Sequence, residues 1–151
     1  MNYTLRKSQL LTRDAFKYKD LIEESLSYAG INPAGMKFSI SKRHEAPYAI
    51  GTKVCVPGPD TIDIDSFVNS VAHEAKHVEF NLNEIDLPIE DLEKECRKAG
   101  GQAQQAYEKV HGVSPMMAIA YGLAKVPHTS NKPQKKALRA NFVPGVKKLW
   151  R

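Results

Sequence analysis

Hydrophobic residues recur along this chain with two spacings, one typical of helices and one typical of strands. Helical spacing occurs over residues 14–29, 67–80, 89–110 and 115–125. Short alternating or apolar runs, which predict strands, occur over residues 36–41, 54–56 and 61–64. The stretch 42–53 between them is polar and contains Pro47 and Gly51, so it is interpreted as an irregular connection.

The order of these elements predicts an α+β fold. An N-terminal helix comes first, a short antiparallel or mixed sheet follows, and two long helices complete the domain. The length of 151 residues suits a single compact domain. We assign residues 1–126 to this domain and residues 127–151 to a basic C-terminal tail.

Residues 73–77 read His73-Glu74-Ala75-Lys76-His77, an H-E-x-x-H motif within the second predicted helix. Residues four apart on a helix lie one above the other, so both imidazoles can reach the same ion. Glu74 lies one residue round, where its carboxylate can accept a proton from water that the metal has acidified. The motif therefore predicts one divalent metal, zinc, bound by His73 and His77, with Glu74 as a general base.

A hydrolytic zinc site needs a third protein ligand and an open fourth position. No histidine follows His77 at close spacing, so a carboxylate on the next helix is the better candidate. Glu90, Glu93 and Glu95 are available there. Glu95 is favoured because it flanks the apolar positions Leu92 and Ala99, at the edge of the expected buried face.

This layout resembles the small gluzincins, zincin-like metallopeptidases of the ImmA/IrrE type found in phages and mobile elements. The likeness covers roughly residues 14–110 and depends on the HEAKH motif and on Glu95-Cys96-Arg97-Lys98-Ala99. It implies a zincin-like fold, peptide-bond hydrolysis and Glu95 as the third zinc ligand, because small residues follow one and four positions later. Lys76 departs from the small or apolar residue usual at its position.

The resemblance also implies two further parts of an active site. A strand before the motif helix would bind an extended peptide or protein substrate at the sheet edge, and residues 61–64 or 54–56 are the candidates. A Tyr or His would stabilise the transition state. The sequence offers four such donors without choosing among them: Tyr107, His111, Tyr121 and His128.

Charge is unevenly distributed, and this supports rival interpretations. Residues 60–95 contain eleven acids and two bases, whereas nine bases and no acid follow Glu108. The basic tail predicts contact with a polyanion, or packing against the acidic stretch. A basic nucleic-acid- or protein-binding module of phage or mobile-element type, with a structural or vestigial zinc, is therefore the first alternative to a peptidase. A metal-free binding protein is the second.

Cysteine content and hydropathy bear on the compartment. Cys55 and Cys96 are too few for a disulfide scaffold, so both are expected to be free thiols. No apolar segment reaches the length of a membrane span or of a signal peptide. These features predict a cytoplasmic protein, with export by a non-standard route left open.

Overall fold

The structure is a computed structural model that describes residues 2–123, so the tail at 127–151 lies outside the described part. A 3-10 turn at Lys7–Gln9 comes first. The remaining elements, in chain order, are α1 (Arg13–Lys17), α2 (Lys19–Ala29), β1 (Lys37–Ser41), β2 (Tyr48–Ile50), β3 (Lys53–Pro57), α3 (Ile64–Leu82), α4 (Ile89–His111) and α5 (Pro115–Ala120). The predicted α+β class is confirmed.

The three strands form one mixed sheet in the order β1-β3-β2. β1 is parallel to β3, and β2 is antiparallel to β3. The central strand is apolar from Val54 to Val56 and is buried there, as expected of a strand covered on both faces. β2 lies in the stretch that the sequence pattern assigns to an irregular connection, and its backbone forms one edge of the sheet.

The prediction of a strand at residues 61–64 is wrong. The backbone N–H groups of Thr61 and Ile62 donate to the carbonyl of Gly58, at 2.9 and 3.2 Å, and so form a turn. Ile64 then opens α3, with Asp63 in an extended conformation as the N-cap. The helix therefore starts three residues earlier than the predicted 67, and the apolar residues at 62 and 64 reflect the turn and the helix start.

The predicted first helix is divided at Tyr18 into α1 and α2. The hydroxyl of Thr12 accepts a hydrogen bond from the N–H of Ala15 and caps the first piece. α2 ends at Ala29 and is capped by Gly30, which has φ of +68°, a left-handed conformation that favours glycine.

Helix α3 lies at the centre of the molecule and packs against α2, α4, β2 and β3. Its apolar residues Phe67, Val71, Ala75 and Val78 join side chains of the sheet in the core. α4 runs beside α3 and continues as a helix through Gly100 and Gly101. None of the helices within residues 2–123 is both long and apolar enough to cross a membrane.

Candidate metal centre

The two histidines of the HEAKH motif lie on one side of α3, one turn apart. Their ring centroids are separated by 5.3 Å. His73 is buried, whereas His77 is partly exposed. Both imidazoles face the neighbouring helix α4, since Nε2 of each lies within 3.5 Å of a carboxylate oxygen of Glu93 on that helix.

The carboxylate of Glu93, on α4, lies next to both imidazole rings. Its Oε1 lies 2.8 Å from Nε2 of His77, and its Oε2 lies 3.5 Å from Nε2 of His73. One ligand atom from each of the three residues lies within 4.8 Å of the other two. The three side chains can therefore hold a single metal ion.

The favoured third ligand, Glu95, is not part of this group, and the alternative Glu93 takes its place. The two residues point to different sides of α4, since two positions correspond to about 200° of rotation. The buried face of α4 consists of Cys96, Ala99, Gly100, Ala103 and Gln104. Glu93 precedes Cys96 by three positions and Gly100 by seven, so it shares their side of the helix. The prediction of Glu95 relied on the flanking residues Leu92 and Ala99 and on the resemblance to small gluzincins, and neither takes account of Gly100 and Gln104 on the buried face.

Glu74 stands next to the candidate ligands without belonging to them. Its side chain is buried, and Oε1 lies 3.9 Å from Nε2 of His73. Burial, followed by the negative charge of Glu93, raises the pKa of Glu74 to about 7. A carboxyl group with this pKa exchanges protons readily near neutral pH, as a general base or acid requires.

Burial also determines the protonation of His73. Desolvation is the largest influence and lowers the pKa of His73 to about 4, although the carboxylate of Glu93 acts in the opposite direction. The ring is therefore neutral at physiological pH. A neutral imidazole is the form that binds a metal ion.

A buried amide pair that the sequence did not point to begins one helical turn from this centre. Asn69 precedes His73 by one helical turn, and its Nδ2 donates to Oε1 of Gln104 at 2.8 Å. Both side chains are 1% exposed. The spacing 69, 73, 77 is the signal that would have identified Asn69, because it continues the line of the two histidines.

The candidate transition-state donors lie elsewhere, as far as the structure describes them. Tyr107 stacks on His111, with ring centroids 4.4 Å apart, and the hydroxyl of Tyr121 donates to Oε1 of Glu108 at 3.2 Å. Tyr107 is 14 residues after Glu93 on the same helix, which corresponds to about 21 Å. These three residues therefore lie near the opposite end of α4 from the ligand cluster. His128 lies outside the described residues.

Comparisons with known proteins leave the site to be interpreted from its own geometry. No family model matches the chain, and neither the search of curated proteins nor that of solved structures finds a significant match.

Proposed function

We propose that this protein is a zinc-dependent metallopeptidase of zincin type. The observation that carries the proposal is the convergence of His73, His77 and Glu93 beside the buried carboxyl group of Glu74. Glu93 takes the role that the sequence analysis favoured for Glu95.

The donor set fits zinc better than the other common divalent ions. Two imidazole nitrogens and one carboxylate oxygen form the three-ligand set of many catalytic zinc sites, which keep a fourth position for water or substrate. Calcium and magnesium prefer ligands that are all oxygen. His73 is neutral at physiological pH and therefore ready to bind a metal.

A zinc ion held by these residues would supply Lewis acidity, acidifying water and polarising a scissile carbonyl. Glu74 would accept the proton of the attacking water and deliver it to the leaving amine. Its burial shields this proton transfer from bulk water. Glu93 and the two histidines would hold their positions through the packing of α3 on α4.

The proposed substrate is an extended peptide. β3 is paired on both sides, and residues 61–64 form a turn and a helix start, so neither predicted strand can accept a peptide. β2 offers a sheet edge and packs against the motif helix α3. The carbonyl of Gly51, next to β2, accepts a hydrogen bond from Nδ2 of Asn81 of that helix at 3.2 Å. A peptide that adds to β2 would therefore lie against the element that bears Glu74.

The decisive test combines metal analysis with one substitution. Full-length protein purified without chelator should contain about one zinc per chain, and His73→Ala or His77→Ala should remove it. Glu74→Gln should retain the zinc and lose the hydrolysis of a fluorogenic peptide library, because an amide cannot accept the proton of water. Zinc content that is unchanged in both histidine variants would refute the site. Loss of zinc in Glu74→Gln would refute the role of Glu74.

A further inference from the structure

A line of hydrogen-bonded polar side chains leads from Tyr121, just after α5, through the buried Gln104 of α4 to the buried Asn69 of α3. Each hydrogen bond in it has a defined direction. Nδ2 of Asn69 donates to Oε1 of Gln104 at 2.8 Å, and Nε2 of Gln104 donates to the hydroxyl of Tyr121 at 3.0 Å. The hydroxyl of Tyr121 donates in turn to Glu108. With the hydrogen bonds in this order, Oδ1 of Asn69 is left as an acceptor.

Two buried atoms near the metal centre are complementary. Oδ1 of Asn69 and Nδ1 of His73 are both buried, and neither has a hydrogen-bond partner among the described residues. They belong to side chains one turn apart on α3, and helical side chains lean toward the preceding turn, so His73 leans toward Asn69. When Nε2 of His73 binds a metal, Nδ1 carries the proton and becomes a donor. Nδ1 of His73 is then a buried donor and Oδ1 of Asn69 a buried acceptor, and each needs a hydrogen-bond partner.

On the basis of the proposed zinc site, we infer that Asn69 is a positioning residue that accepts the Nδ1 proton of His73 through one bridging water. Such a contact holds the ring in the tautomer and orientation that present Nε2 to the metal. A single bridging water would have two polar partners in these atoms, which is enough to hold it in a buried site. Gln104 keeps the acceptor oriented, because it occupies the other end of the Asn69 amide.

The experiment compares zinc affinity, measured by competition with a chromophoric chelator, in full-length variants. Asn69→Leu has similar size and no acceptor, and should bind zinc about 10- to 100-fold more weakly than the unmodified protein. Asn69→Asp keeps an acceptor, and the Gln104 amide can rotate to donate to it, so zinc affinity should stay within about threefold or rise. Ser25→Ala is the matched control, because it removes another buried hydrogen bond to α3, from the Ser25 hydroxyl to the carbonyl of Val68 at 2.6 Å. It should lower thermal stability without changing zinc affinity.

Each result decides the inference. Weakened zinc binding in Asn69→Leu with retained binding in Asn69→Asp supports it, and folded Asn69→Leu that binds zinc as tightly as the unmodified protein overturns it. If Asn69→Leu does not fold, Asn69→Asp decides alone, since a tenfold loss of affinity there would overturn the inference. An unmodified protein that binds no zinc refutes the proposed function as well. Normal zinc binding that is indifferent to residue 69 refutes only the role of Asn69.

Discussion

Gly100 of α4 lies directly against Asn69 of α3. A β-carbon at position 100 would stand 2.5 Å from Oδ1 and 2.9 Å from the backbone oxygen of Asn69. The absence of a side chain therefore allows the two helices to approach closely between the candidate metal centre and the buried amide pair. The same closeness brings Glu93, seven residues earlier on α4, within reach of the histidines.

Substitution of Gly100 by alanine should change the stability of the protein in the direction opposite to that usual for a helical glycine. Alanine in place of a helical glycine usually stabilises a protein by about 0.5–1 kcal/mol. Gly100→Ala should instead destabilise it by about 1–3 kcal/mol, because the backbone of Asn69 has to move. Gly101→Ala is the control, and it should show the usual gain. Within residues 2–123, nothing beyond the adjacent residues and backbone of its own helix lies within 4 Å of a β-carbon built there. Urea unfolding measures both, and equal changes in the two variants would contradict the close contact.

The identity of the third ligand can be tested with two neighbouring carboxylates. Glu93→Gln should weaken zinc binding by more than roughly 100-fold, which exceeds the usual effect of losing a contact behind a ligand. Glu95→Gln removes the same charge from the same helix, on a different side of it, and should leave zinc affinity almost unchanged. Zinc titration with a competing chelator distinguishes the two, and the opposite ranking would restore Glu95 as the ligand.

The partly buried carboxyl group of Glu108 predicts a dependence of stability on pH. Burial, and then the charge of Asp65, raises the pKa of Glu108 above its ordinary value of 4.5. The folded protein holds this proton more tightly than the unfolded chain. The stabilising contribution is therefore complete below pH 4.5 and is lost as the pH rises through the folded-state pKa.

Glu108→Gln should remove this loss of stability at rising pH. Its amide can donate to Oδ1 of Asp65, which has no partner among the described residues, so at pH 8 the variant should be more stable by about 1 kcal/mol. The difference should shrink as the pH falls toward 4.5. Urea unfolding between pH 4.5 and 8 measures it, with Glu45→Gln on an exposed loop as the control. A constant difference across this range would contradict the assignment.

Two roles are possible for the basic tail, 127–151, and truncation of the tail distinguishes them. If the tail binds a polyanion, its removal should abolish salt-sensitive binding to nucleic acid or anionic lipid and leave the melting temperature nearly unchanged. If the tail packs on the acidic stretch at 60–95, its removal should lower the melting temperature. Salt should then destabilise the full-length protein more than the truncated one. Zinc binding and polyanion binding without peptidase activity would favour the nucleic-acid-binding alternative.

The sequence predicted the parts of the fold that depend on long periodic patterns. α4 was predicted to within one residue at each end and α3 to within three, because many residues contribute to each helical stripe. Short elements were harder to predict from the sequence. β2 has three residues with exposed side chains at Tyr48 and Ile50, so its pairing with β3 leaves no burial pattern in the sequence. At residues 61–64, local hydrogen bonds to Gly58 overrode an alternation typical of a strand.

The residues of the candidate site also divide into two that the sequence predicted and one that it did not. The spacing within HEAKH places two imidazoles together on any helix, so His73 and His77 required no knowledge of the tertiary structure. The third carboxylate depends on which side of α4 faces α3. That side includes a glycine and a glutamine, Gly100 and Gln104, which a search for apolar residues does not detect. Which side of α4 faces α3 depends on how the two helices pack, so it is known only from the tertiary structure.

The helical hairpin that contains the candidate ligands has a consequence for the order of folding. His73, His77 and Glu93 fall within 21 consecutive residues, on two helices joined by the short connection between Leu82 and Ile89. Closing so short a loop costs little chain entropy, so the two helices can bring the three candidate ligands together early. We expect zinc present during refolding to bind this hairpin early and to accelerate folding, in addition to stabilising the final state. The metal would then act as a template for the nucleus around which the sheet assembles.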